Sequence, residues 1–285
     1  MTKIILSAFA DEANEKLSEQ IKALREDNIS HIELRGLDGK NISSLEFSEA
    51  EEYAKTLREG GIKVWALGSP IGKIGINGNH EEHLKKVEHT AKLCSVFGTK
   101  NIRAFSFFTS TPDESESEVF RRVEEILNIT NKYGVNFCHE NEKDIYGDRV
   151  ERVLKLKEKF PELKLVFDPA NYIQCGENIP FALEKLRDKT YYYHIKDATL
   201  SGEIVPAGEG EGRISEIVDG AEGEVVFTLE PHLKVFSGYG QIDSTELKNR
   251  YTYATNRDAF KSAGDALKKI LRDKGFKEGA GEWTK

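Results

Sequence analysis

Four residues with metal-binding side chains stand at the ends of four different apolar runs: Glu140 after VNFCH, Asp168 after LKLVF, His194 after TYYY and Glu230 after VVFTL. Three carboxylates and one imidazole make a hard, oxygen-rich set suited to a divalent cation. Their separations are about one strand plus one helix, so no single turn brings them together. Side chains at the ends of successive parallel strands converge on one point when the sheet closes on itself, which ties this chemistry to a fold. A lone acid after a strand commonly caps the next helix, a claim that Asp168 before Pro169 has in full. A lone strand histidine is more often a hydrogen-bonded core residue than a ligand. Four such residues at corresponding positions favour one shared site.

The elements that would carry them alternate along the whole chain. β-rich runs are expected at Ile4–Ala8, His31–Leu34, Lys63–Leu67, Asn101–Phe105, Val135–His139, Lys164–Phe167, Tyr191–Ile195 and Val225–Leu229. Amphipathic patterns predict helices over Glu12–Asp27, Ser48–Glu59, His80–Phe97, Glu114–Tyr133, Asp148–Phe160, Pro180–Asp188 and Arg257–Lys274, with a shorter one in Glu211–Asp219. Gly61, Gly98 and Gly134 each fall between a helix and a strand, as helix C-caps do. Eight strands each followed by a helix predict an α/β fold, a (β/α)8 barrel spanning residues 1–285 as one domain. An open doubly wound sheet gives no reason for ligands on four successive strands, and no GxGxxG follows the first strand. Two long loops, Gly68–Asn79 and Pro231–Asn256, leave the carboxyl ends of strands, as lids or as surface excursions.

Composition narrows the function classes. The formal charge of -8 argues against a nucleic-acid partner, which needs a basic face. No stretch has the apolar length of a membrane span, and MTKIILSAFA carries no basic leader. Cys94, Cys138 and Cys175 form no CxxC pair, so reduced thiols and a cytoplasmic protein are expected.

Period-two alternation puts Lys196 on the face of His194, where it could meet a substrate carboxylate, hydroxyl or phosphate, and puts His232 just above Glu230. Asn171 either bonds a substrate hydroxyl or caps the following turn. Glu33 faces the barrel mouth, and Arg35 is a rim residue or an anion clamp. Lys73 is either an anion contact or an exposed loop lysine. Asp197 reads as a structural ion-pair partner, and His80, His83 and His89 as solvated helix surface.

The strings CHEN, FDPAN, YYHIKD and TLEPH resemble the xylose-isomerase-like family of sugar-phosphate isomerases and epimerases. That family includes ketose 3-epimerases, hydroxypyruvate isomerases and inosose dehydratases, and is distantly similar to apurinic-site endonucleases. The resemblance runs from SAFADE through SPIGK to the final helix. It implies a TIM-type barrel in which Glu140, Asp168, His194 and Glu230 bind one divalent ion, commonly Mn²⁺, Mg²⁺ or Co²⁺ and sometimes Zn²⁺. It also implies that Glu140 and Glu230 work as acid and base, and that barrels pair through loops at the catalytic end as homo-oligomers. Ketose 3-epimerases carry a histidine three residues after the aspartate ligand and an arginine six after the histidine ligand. Here those positions hold Asn171 and Leu200, a departure from the free-ketose 3-epimerases. HIKD followed by VPAGEGEG looks more like the dehydratase-like branches, in which Glu209 and Glu211 are loop acids.

The expected activity is therefore a metal-dependent isomerase or epimerase of a small sugar or sugar phosphate, acting by proton abstraction next to a carbonyl through an enediolate. A keto-cyclitol dehydratase begins with the same abstraction and then expels a β-hydroxyl. An apurinic-site endonuclease would need further histidine and carboxylate ligands and a basic groove. A barrel that binds a sugar without turning it over is the remaining alternative.

Overall fold

The alternating apolar runs become eight parallel strands in a computed structural model, which describes residues 1–237, 239–242, 247–248 and 250–285. They are β1 (Lys3–Ala8), β2 (His31–Leu34), β3 (Lys63–Gly68), β4 (Asn101–Ala104), β5 (Asn136–Glu140), β6 (Lys164–Phe167), β7 (Thr190–Ile195) and β8 (Glu224–Leu229). Hydrogen-bonded neighbours run β2-β3-β4-β5-β6-β7-β8-β1, and β1 returns alongside β2. Among the described residues those two strands share no ladder. Instead, β1 takes a second, antiparallel neighbour, with Ile4 opposite Trp283 and Lys3 opposite Thr284. That neighbour, Glu282–Thr284, forms a hairpin with Lys277–Glu278, which the sequence reading did not foresee. The fold is an α/β barrel of the (β/α)8 type, its seam bordered by a C-terminal hairpin.

Parity along the strands divides the core. Ile5, Cys138, Val166, Tyr192 and Val226 form a small cluster inside the sheet. Their chain neighbours Ile4, Leu6, Phe137, Leu165, Phe167, Tyr193 and Phe227 belong to the large cluster between sheet and helices. Two residues further along β5, β6 and β7 the same parity yields Glu140, Asp168 and His194, so a polar layer lies directly above the apolar one. The β2–β3 register shifts between Ile32 and Glu33, a bulge near the end of β2.

The helices are α1 (Leu17–Glu26), α2 (Phe47–Glu59), α3 (His80–Phe97), α4 (Pro112–Lys132), α5 (Val150–Lys159), α6 (Pro169–Gln174), α7 (Ile179–Leu186), α8 (Ile214–Asp219), α9 (Tyr239–Ile242) and α10 (Asn256–Asp273). Asn79 caps α3 by accepting from the Glu82 N–H, and Gly98 closes it at φ 70°. Two expectations need correcting. The helix predicted from Glu12 starts only at Leu17, because Ala10–Glu12 is a separate 3-10 turn with buried acids. The six-residue α6 was missed, since Pro169 and Asn171 read as a turn.

The glycine-rich loop after β3 is no loose lid. Residues 71–76 run beside 105–108, tied by Phe105 N–H to Ile71 O (2.8 Å), Phe107 N–H to Gly72 O (3.0 Å) and Ile76 N–H to Phe108 O (2.9 Å). At Gly72, φ is +83° and a Cβ would lie 2.1 Å from Phe105 O, so only glycine fits. Of the second long loop, residues 238, 243–246 and 249 lie outside the described residues. No described helix is long and apolar enough to cross a membrane.

Candidate metal centre and the cavity beside it

The structure brings the four sequence-predicted ligands together. One ligand atom from each of Glu140, Asp168, His194 and Glu230 lies within 4.8 Å of the others, and all four residues are buried. Donors each about 2 Å from a common ion would occupy such a span. The His194 ring is set for that task. Nδ1 lies 3.0 Å from Glu140 Oε1 and 3.2 Å from Glu230 Oε2, while Nε2 lies 3.2 Å from Glu33 Oε2. With the proton on Nε2 donated to Glu33, the Nδ1 lone pair faces the carboxylates, the arrangement a metal-ligating histidine uses.

The electrostatics are those of an acidic cluster short of a cation. Burial pushes the Asp168 carboxyl up to about 7, opposed by Lys196 and reinforced by Glu230 and Glu140. Burial disfavours a charged His194, yet Glu140 and Glu33 hold its pKa well above the usual imidazole range. Glu230 behaves oppositely: burial would raise it, but Lys196 holds it well below the carboxylate range. A divalent ion would relieve the crowding, and the donor set fits one.

Two arginines grip the two glutamates. Arg35, just beyond β2, donates to Asp11 through Nε (2.9 Å) and a terminal nitrogen (3.0 Å), to Glu12 (3.0 Å) and to Glu230 Oε1 (3.1 Å). Its guanidinium lies between the Phe9 ring (4.3 Å) and the Phe236 ring (4.8 Å). Arg103 in β4 places Nε 3.2 Å from Glu140 Oε2 and donates to Ser69 O (3.0 Å). Asn141 clamps the Asp168 backbone, its amide donating to Asp168 O and accepting from Asp168 N–H, both at 2.9 Å. Asp168 itself also caps α6, accepting from Asn171 N–H (3.0 Å), so the capping and cluster readings of this residue coexist.

The remaining candidates divide. Lys196 lies 2.9 Å from Asp168 Oδ2 and 3.3 Å from Glu230 Oε2, which places it in the cluster. His232 Nε2 is 3.4 Å from both Glu230 Oε1 and Glu12 Oε1, between the rings of Phe236 and Tyr239. Burial, with Lys196 nearby, keeps His232 well below the usual imidazole pKa, hence neutral. Burial also raises Glu12 to about 8, against the pull of Arg35 and with Glu230 adding to the rise. Asn171 donates to Glu140 Oε1 (3.2 Å) and Asn141 O (2.9 Å), which ties its amide to the cluster. Glu33 accepts from Tyr192 OH (3.0 Å) beneath His194 and supports the ring from below rather than facing the mouth. Lys73 is no exposed loop lysine: it pairs with Glu142 (2.9 Å) and lies over Phe105 (4.6 Å).

Other readings change with the structure. Asp197 makes no ion pair among the described residues; it accepts four backbone N–H groups, from Ala198, Gly208, Gly210 and Gly212. His83 is buried, accepting from Gly72 N–H (3.2 Å), and His80 pairs with Glu125, so neither is solvated surface. His89 reaches Leu45 O (2.9 Å). Leu200 is 82% exposed and takes no part in the site. Asp11, Glu12, Arg103, Asn141 and Glu142 escaped the sequence reading. The signal for Arg103 was its place in NIRAF, a charge inside an apolar strand.

Beside the cluster lies a cavity of about 100 Å³, lined by the segments that follow β1, β2 and β3 and by Arg103 of β4. Arg35 and Arg103 form its boundary with the glutamates, and Asp11, Asn41, Ser69, Lys73 and Ser237 line it further out. The acidic cluster thus comes from β5 to β8, and most of the cavity lining from β1 to β4.

Residues 21–219 match the family described as xylose isomerase-like TIM barrel. Among solved structures, the IOLI protein with a binding zinc atom has a TM-score of 0.71 at 17% identity, covering 94% of this chain and 98% of that one. The probable 3-DHS dehydratase AsbF from Bacillus anthracis gives 0.69 at 17% identity, over 94% and 99%. D-Psicose 3-epimerase from Clostridium cellulolyticum gives 0.70 at 12% identity, over 94% and 98%. No curated protein sequence matches the chain. At these identities the three structures share a fold with it; one is an epimerase and one a probable dehydratase. By the extent of the family match and the barrel it folds into, the chain belongs to the xylose isomerase-like TIM barrel family.

Proposed function

We propose that this protein is a divalent-metal-dependent isomerase or epimerase of a small sugar, moving a proton on a carbon next to a carbonyl. The observation that carries the reading is the convergence of Glu140, Asp168, His194 and Glu230 within 4.8 Å at the mouth of the barrel. In this reading those four side chains hold one ion, which polarises a hydroxy-carbonyl and offsets the charge of an enediolate.

The chain's own residues supply the proton transfers. Glu140 and Glu230 come from β5 and from the end of β8, and each has one oxygen toward His194 and the other toward an arginine. One glutamate removes the proton as base and ends protonated; the other, protonated at the outset, delivers its own proton to the neighbouring carbon or the opposite face, and exchange with solvent resets the pair. Arg103 and Arg35 fix the two carboxylates, Glu33 holds the His194 tautomer, and Lys196 places a positive charge between Asp168 and Glu230. Phe9, Phe236 and Tyr239 are buried at this end of the mouth.

The test pairs metal binding with exchange. Chelator-stripped protein titrated calorimetrically with Mn²⁺ should bind one ion, and Glu230→Gln should bind it much more weakly. The loaded protein, given ketoses in D₂O, should place deuterium on a substrate carbon without losing water. Loss of water with no re-isomerised product would make the protein a dehydratase, the second activity found among its structural neighbours. Absence of stoichiometric metal binding would remove the proposal altogether.

A further inference from the structure

The charges around the cavity bear on what the substrate carries away from the ion, an inference that rests on the sugar reading above. Among the described residues, each cation at the site is already set against carboxylates. Arg35 meets Asp11, Glu12 and Glu230; Arg103 lies 3.2 Å from Glu140 and 3.8 Å from Glu33. Lys73 meets Glu142, and Lys196 meets Asp168 and Glu230. Lys40, at the rim, pairs with Glu49. Seven carboxyl groups therefore face four cations around the cluster, and a single divalent ion does no more than offset the negative charge that remains. No net positive charge is left over for a phosphate or carboxylate. The rest of the cavity wall is neutral or acidic: Asn41, Ser69, Ser237, three glycines, and Asp11 with Glu15. Amide, hydroxyl and carboxylate groups are partners for hydroxyls, and a carboxylate repels an anion.

We propose that the substrate is uncharged, a free polyhydroxy ketone or its glycoside held by hydroxyl hydrogen bonds, and that the site discriminates against its phosphate ester. The charge that offsets the carboxylates comes from the metal, so an anionic substrate would meet no uncompensated positive charge.

Matched pairs test this: D-fructose, D-psicose, D-tagatose and L-sorbose, each beside its 6-phosphate, with Mn²⁺-loaded protein. Deuterium uptake read by NMR should favour a free ketose over its ester by at least a hundredfold in kcat/KM; equal or faster exchange of an ester overturns the proposal. Should no compound exchange, the isomerase reading fails, and binding decides this one separately. Calorimetric titration of the loaded protein with inorganic phosphate should show no submillimolar binding, and such binding would overturn the proposal. Glu142→Gln removes the carboxylate 2.9 Å from Lys73 Nζ and should narrow the preference, or strengthen phosphate binding, by about tenfold. A folded variant with unchanged discrimination in both measurements would show that charge balance is not what selects.

Discussion

Arg35 is the residue whose surroundings make the strongest demand on the fold. Asp11, Glu12 and Glu230 all answer one buried guanidinium. Removing one partner of a buried ionic group costs about 3–5 kcal/mol, because the others keep their charge without compensation. Arg35→Met should lower the unfolding free energy of the metal-free protein, read from urea denaturation, by that amount, and Arg35→Lys should recover only part of it, lacking the fork that reaches several carboxylates. Glu33 offers a subtler test. Glu33→Gln keeps the shape of the His194 contact but not its charge, and Mn²⁺ affinity should fall about 10–100-fold by calorimetry, with the fold intact. The gathering of Glu140, Asp168, His194 and Glu230 was legible because each ends an apolar run, where strand parity dictates direction. Arg35 and Arg103 were harder to read. An arginine near a strand end is usually solvated, and although NIRAF hints that Arg103 is buried, nothing local announces that Asp11 and Glu12 after β1, and Glu140 on β5, stand on the neighbouring strands to receive the two guanidinium groups.

The elements that aim these residues are held by small polar contacts, and pH should expose one of them. His83 in α3 accepts the Gly72 N–H, which it can do only while neutral. Burial lowers its pKa to about 4 from 6.5, with the neighbouring His80, Lys86 and Arg122 acting the same way. The unfolded chain therefore binds more protons than the folded one between these values, so stability falls as pH drops from 6.5 to 4. The contribution is on the order of 1–3 kcal/mol, and hydrogen exchange at Gly72 should accelerate in that window. His83→Gln should flatten the pH dependence. Asp197 performs a similar service for residues 198–212, and Asp197→Ala leaves buried N–H groups without an acceptor. Proteolysis within residues 199–212 should then outpace cleavage elsewhere. Strand positions were readable from alternation, whereas these loops were not: their order comes from long-range acceptors that periodicity does not record.

At the scale of the molecule, the seam between β1 and β2 was invisible in the sequence. KEGAGEWTK is too short and glycine-rich to read as a strand pair, yet Trp283 is fully buried opposite Ile4, with Arg272 over its ring. Trp283→Ala should cost about 3–5 kcal/mol and lower Tm accordingly, with Mn²⁺ affinity little changed because the seam lies at the far end from the ligands. The seam also has a consequence in time. Within this barrel β1 is made before the other strands, and its partners β8 and Glu282–Thr284 are made after them. Until they arrive, the oldest strand keeps two unpaired edges, the hazard that invites strand exchange between nascent chains. A young barrel of this kind depends on whatever shields that strand during translation.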